Sequence, residues 1–221
     1  MAIRRVFQWI FLVLFLILII QCFDAEAADK QKVDHLTQAA FLIKEGEYTR
    51  AQEALGNIDE SGESLDRKRF YTLRGLLQLN QELFEKSLQD FQSALAAGQD
   101  NKIIYVYIAQ SHIGLEQYEQ ALAALDSTAE LEDTLPGIWL LRASASWQLK
   151  RYEQSWGVLL QAEGKYPDNA VFARTRLYYA IELGLYQEAV SIALDYLDKH
   201  EPGANEYVAL ADALRRSGEL D

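Results

Sequence analysis

Cysteine is almost missing from this 221-residue chain: Cys22 is the one copy, and it stands near the start. A disulfide framework is thereby excluded, so the fold must be held by packing alone. Histidine is scarce too. His35, His112 and His200 are far apart and have no cysteine neighbours, so no zinc-like spacing exists and no cofactor is implied. Basic residues are outnumbered, 21 Lys and Arg against 33 Asp and Glu, for a formal charge of −12. That balance removes the positive footprint that phosphate binding needs, so nucleic acid is excluded as a partner and anionic lipid surfaces are disfavoured. What is present is ordinary for a folded chain: 50% hydrophobic and 24% charged residues, enough to bury a sizeable core without metals.

The first residues read as an address and not as fold. Arg4 and Arg5 precede an unbroken apolar run from Trp9 to Ile20, after which Ala25-Glu26-Ala27 supplies the small residues of a cleavage site. This matches a secretory signal peptide cut before Ala28. A second reading keeps residues 1–27 as an uncleaved membrane anchor, since Val6 to Phe23 nears the lower length limit for crossing a bilayer. A third, lipidation at Cys22, fits poorly because Gln21 stands where a small residue belongs. Either of the first two sends residues 28–221 across the membrane, to a periplasmic or membrane-tethered location facing outward. Removing residues 1–27 takes away two bases and two acids, so the charge of −12 belongs to the exported part.

Residues 28–221 carry an internal repeat. A sextet recurs as Gly46-Glu47-Tyr48-Thr49-Arg50-Ala51, Glu82-Leu83-Phe84-Glu85-Lys86-Ser87, Glu116-Gln117-Tyr118-Glu119-Gln120-Ala121, Lys150-Arg151-Tyr152-Glu153-Gln154-Ser155 and Gly184-Leu185-Tyr186-Gln187-Glu188-Ala189. Its small residues at 51, 87, 121, 155 and 189 are spaced by 36, 34, 34 and 34. Upstream of the sextet, Tyr71, Tyr105 and Trp139 are each followed four residues later by Gly75, Ala109 and Ala143, and Tyr207 by Ala211. Downstream come Leu55, Phe91, Leu125 and Leu159. Helical periodicity is visible without reference to the repeat, as in Ile104, Tyr107, Ile108, Ser111 and Leu115.

Spacing and residues together resemble the tetratricopeptide repeat, a 34-residue helix-turn-helix unit, over residues 33 to 221. The resemblance implies an all-α, right-handed superhelical solenoid of about five such units plus a C-terminal capping helix after residue 203. Three departures stand out, the first being His35 at the large position of the first unit. Ala173 occupies the large position of the fifth unit, and Leu177 stands where a small residue belongs. The two extra residues of the first interval are assigned to the acidic loop from Gly56 to Glu63. Because the chain closes on a lone first helix, a rival reading makes it the N-terminal module of a longer export or envelope-assembly protein.

The family implies a groove lined by the first helices, where peptide ligands sit. Carried over by register, its positions are Leu76 and Leu79 in the second unit, then Gln110 and Ile113, then Leu140 and Trp147. The fifth unit contributes Arg174, Tyr178 and Ile181. The set is largely apolar, and Trp147, Arg174 and Tyr178 are residue types that dominate binding energies. Leu76, Leu79 and Ile113 fit core and groove equally well, since periodicity does not separate the two. The lysine and arginine clamp for a C-terminal carboxylate is lacking. No nucleophile elbow, phosphate loop or dinucleotide fingerprint occurs. The sequence therefore points to a non-enzymatic scaffold of the cell envelope that binds a protein or peptide ligand, a hydrophobic segment or helix laid in the groove.

Overall fold

The computed structural model describes residues 34–201 and 203–218, so the proposed export segment and Cys22 lie outside the described residues. The described residues fall into two compact units that part between Ser61 and Gly62. All regular structure among the described residues is helical.

The first unit contains one hairpin, α1 (His35–Lys44) and α2 (Tyr48–Gly56). The Asp34 carboxylate starts α1 by accepting the Leu36 and Thr37 N–H groups at 3.1 and 3.2 Å. Leu36, Ala39 and Leu42 on α1, with Ala51, Ala54 and Leu55 on α2, are the buried side chains of this pair.

The second unit runs α3 (Arg67–Asn80), α4 (Phe84–Ala96), α5 (Ile103–Gly114), α6 (Tyr118–Asp126), α7 (Gly137–Gln148), α8 (Tyr152–Lys165), α9 (Ala170–Glu182), α10 (Tyr186–Lys199) and α11 (Ala204–Ser217). Four antiparallel hairpins thus precede a single helix. The all-helical, helix-turn-helix expectation is met element by element. The aromatic of each sextet is the first residue of a second helix: Tyr48, Phe84, Tyr118, Tyr152 and Tyr186.

The turn before that aromatic has one backbone solution throughout. The opening residue of the sextet is left-handed, with φ of 76° at Gly46, 60° at Glu82, 58° at Glu116, 59° at Lys150 and 71° at Gly184. The next N–H then reaches back five residues, Glu47 to the Leu42 carbonyl, Leu83 to Gln78, Gln117 to His112, Arg151 to Ser146 and Leu185 to Ala180, at 2.8–2.9 Å. This closes the first helix in a Schellman-type cap. Glycine accepts the conformation freely at Gly46 and Gly184. The three L-residues accept it against a steric cost of about 1–2 kcal/mol each.

Inside each hairpin the small residue of the sextet is fully buried. Where it is serine, the hydroxyl ties the second helix to a backbone carbonyl of the first. Ser87 Oγ donates to the Gly75 carbonyl at 3.0 Å, and Ser155 Oγ to the Ala143 carbonyl at 2.8 Å. The polar atom thereby enters the core without being left unsatisfied. Phe91 packs so closely on Gly75 that a Cβ there would stand 2.7 Å from its ring.

The fifth hairpin shows why Leu177 is tolerated at a position that otherwise needs a small side chain. Its partner position on the second helix, occupied by Phe91, Leu125 and Leu159 in the other hairpins of this unit, is Ala193. Leu177 and Ala193 are both buried in one cluster with Ala180, Ala189 and Val190. Large and small have exchanged helices, and the volume of the layer is kept.

One hairpin is irregular. α6 ends at Asp126, and a short 3-10 turn, Ala129–Leu131, follows it. Thr128 stands where Ala94 and Ala162 continue the other second helices, and its Oγ1 bonds back to the Leu125 carbonyl at 2.6 Å, competing with the helical ladder. The frayed end is closed from α7. Arg142 donates to the Leu125 carbonyl at 2.7 Å, to Asp126 at 2.9 Å and to Glu132 at 3.1 Å.

Candidate functional site

The groove residues expected from the register all lie on first helices of the second unit, but they are not equally available. Leu76 and Leu79 pack against the cluster of Phe91, Ala94, Ile104 and Ile108. Ile113 packs against Val106, Ala109 and Ala121, and Leu140 against Ala143, Leu159 and Phe172. These four side chains are half-buried, as is Gln110. Between α3 and α7 the first-helix face is thus largely absorbed by contacts within the array.

Trp147 and Arg174 are both engaged. The Trp147 indole stacks on Tyr179 of α9, with ring centroids 3.7 Å apart and planes 13° apart, and meets Tyr152 edge-on at 4.8 Å. It bridges consecutive hairpins. Arg174 pairs with Glu206 of α11, Nε to Oε1 at 2.6 Å, and donates from Nη2 to the Tyr196 hydroxyl at 2.8 Å. That hydrogen bond, together with the neighbouring carboxylate, holds the guanidinium charge firmly in place by raising its pKa further.

The exposed part of the face lies at α9 and α11. Val171 is 40% exposed, Tyr178 39% and Val208 67%. Tyr178 and Ile181 of α9 face Asn205, Val208, Ala209, Asp212 and Arg216 of α11 across a cleft of about 460 Å³. Its rim is polar and internally compensated. Asp212 accepts from Arg215 at 2.8 Å and from Arg216 at 3.0 Å, and Arg215 heads the causes that keep its carboxyl below the usual range. Arg216 also donates to the Tyr186 hydroxyl at 3.2 Å. The floor is apolar and the nearest charges are paired, so the arrangement suits burial of an apolar side chain better than acid–base chemistry.

The structure adds Asn205, Val208, Asp212 and Arg216 to the groove residues expected from sequence. The signal for them was present. They stand 34 residues after Val171, Arg174, Tyr178 and Glu182, one repeat further along the same face. Among the described residues no group of three or more His, Cys, Asp or Glu is arranged to hold a metal ion, and no helix is long and apolar enough to cross a membrane.

A stack of helix hairpins with a 34-residue period and a shared turn defines the class: an α-helical repeat array. Residues 108–170 match the family model described as Tetratricopeptide repeat. No curated protein matches it by sequence. Among solved structures it is similar to a tetratricopeptide repeat protein from Parabacteroides merdae ATCC 43184, 17% identical with a TM-score of 0.66 over 88% of this chain and 78% of that one. PilF of Pseudomonas aeruginosa is 12% identical, with a TM-score of 0.65 over 86% of each chain. YrrB, described as a TPR protein with an unusual peptide-binding site, is 18% identical, with a TM-score of 0.57 over 89% of this chain and 93% of that one.

Proposed function

We propose that this protein is a non-enzymatic binding scaffold that takes an apolar segment of a partner protein at the α9–α11 end of its first-helix face. The observation that carries the reading is the cleft in which Tyr178, Ile181 and Val208 converge, apolar and open beside charges that are already paired. Tyr178 and Val208 leave apolar surface open on the two walls of this cleft, where a partner's side chain can cover it. A tyrosine in such a place combines contact area with a polar tip. The site of action is the cell envelope, on the outward side of the membrane. Support for that comes from Arg4, Arg5, the apolar run to Ile20 and the Ala25-Glu26-Ala27 triplet.

Two measurements test the two halves of this reading. Replacing Tyr178 by Ala together with Val208 by Asp abolishes capture of the envelope partner while the helical circular dichroism stays that of the parent. Equal capture by the double variant contradicts the cleft assignment. Fractionation of expressing cells places the chain in the envelope, and N-terminal sequencing finds Ala28 first if the segment is cleaved. A full-length chain recovered in the cytosol contradicts export.

A further inference from the structure

Along the first helices of the second unit one position recurs every 34 residues: Phe70, Ile104, Ile138 and Phe172, each no more than 2% exposed. The next step of the series is Glu206, only 4% exposed. A carboxylate therefore occupies the place where every preceding first helix of the unit is anchored by an apolar side chain. Its Oε1 lies 2.6 Å from Arg174 Nε on α9, and its Oε2 accepts the Gly203 N–H at 2.8 Å. Arg174 in turn donates to the hydroxyl of Tyr196, itself 1% exposed on α10. Three helices meet on one charged group.

The apolar hold on α11 is slight by comparison. Its fully buried apolar residues are Ala209 and Ala213, with Leu210 and Leu214 half-buried against the same cluster, whereas α9 fully buries Phe172, Ala173, Leu177 and Ala180. Two alanines and two half-buried leucines remove less area from water than the fully buried Phe172 and Leu177 with their neighbours. A buried carboxylate, by contrast, is stable in place only while it is paired, and Glu206, with its side chain 5% exposed against 42% for Arg174, is the group left uncompensated when Arg174 is removed.

We propose that α11 is a releasable arm of the array, whose docking depends on the Arg174–Glu206 pair because it lacks the fully buried large apolar anchor of the preceding first helices, so that it docks or detaches as a unit while α3 to α10 stay folded. Because α11 supplies Asn205, Val208, Asp212 and Arg216 to the cleft, its release dismantles one wall. That consequence for binding rests on the cleft being the binding site; the arm does not.

Hydrogen–deuterium exchange on the full chain tests this. Glu206→Gln keeps the shape and removes the charge, and the amides of α11 then exchange at least about tenfold faster while those of α3 to α8 are unchanged. Arg174→Gln has the same effect, and the double variant is no faster than either single one, because the two side chains act as one contact. Circular dichroism at 222 nm shows the rest of the array folded in each case. Unchanged protection of α11 in Glu206→Gln, equal acceleration in every helix, or global loss of helix each overturns the proposal. Accelerated exchange in α11 with undiminished partner capture leaves the arm standing and removes the cleft assignment.

Discussion

The ring of Phe91 occupies the space that a side chain on Gly75 would fill, 2.7 Å from where its Cβ would stand. Neither residue can be read alone, because the layer between the two helices of a hairpin has a fixed volume. Gly75→Ala therefore overpacks α3 against α4 and lowers stability by about 1–3 kcal/mol in urea unfolding. Combining it with Phe91→Leu recovers part of the loss. The reverse exchange holds in the fifth hairpin, where Ala193→Phe is tolerated only with Leu177→Ala.

The left-handed turn residues give a second prediction, with opposite signs at different hairpins. Glu116→Gly and Lys150→Gly relieve steric strain at φ near 60° and raise stability by roughly 0.5–1 kcal/mol each. Gly184→Ala introduces the same strain and lowers stability by about 1 kcal/mol. Thermal unfolding followed by circular dichroism distinguishes the two directions.

Arg142 closes the frayed end of α6 with three hydrogen bonds, one of them to the Leu125 carbonyl, which also accepts the Thr128 N–H and hydroxyl. Arg142→Ala lowers stability by about 2–3 kcal/mol. Arg142→Lys recovers less than half of it, since an ammonium cannot reproduce the planar fork. Urea unfolding of the three proteins measures both numbers.

Glu163 and Arg176 are paired at 2.5 Å, with Arg176 also lying over the Trp156 ring at 5.1 Å. Burial pushes the Glu163 carboxyl above its ordinary value of 4.5 despite the pull of Arg176. A raised folded-state value means that the folded protein holds this proton more tightly than the unfolded chain. Its contribution to stability is complete below 4.5 and declines as pH rises through the folded-state value. Glu163→Gln removes that decline, so the difference between the two proteins' stability curves against pH slopes only in this window.

The fold was largely legible in the sequence because its determinants are local and repeated. The sextet names the turn, its aromatic opens the second helix, and the small residues mark the close helix contacts. What the repeat pattern did not reveal was compensation between positions that are distant in the chain. Leu177 reads as a violation until Ala193 is seen beside it, and Thr128 reads as an ordinary variant of Ala94 until the helix ends there. The candidate site was legible only by position. Register placed Trp147 and Arg174 on the same face as Tyr178, but register carries no information about partners. Trp147 is taken up by Tyr179, and Arg174 by Glu206. Val208 was one repeat beyond the fifth unit, on the same face, and its exposure follows from its place on α11.

Binding between α9 and α11 is tested most directly by a photo-crosslinking amino acid placed at position 178 or 208 of the full chain, with exposed Gln92 on the second helix α4 as the control position. One partner adduct is expected from 178 and from 208, absent from 92, and displaced by excess unlabelled protein. Adducts of equal yield from 92, or none from 178 and 208 while the partner is still captured, would contradict binding at this end of the array.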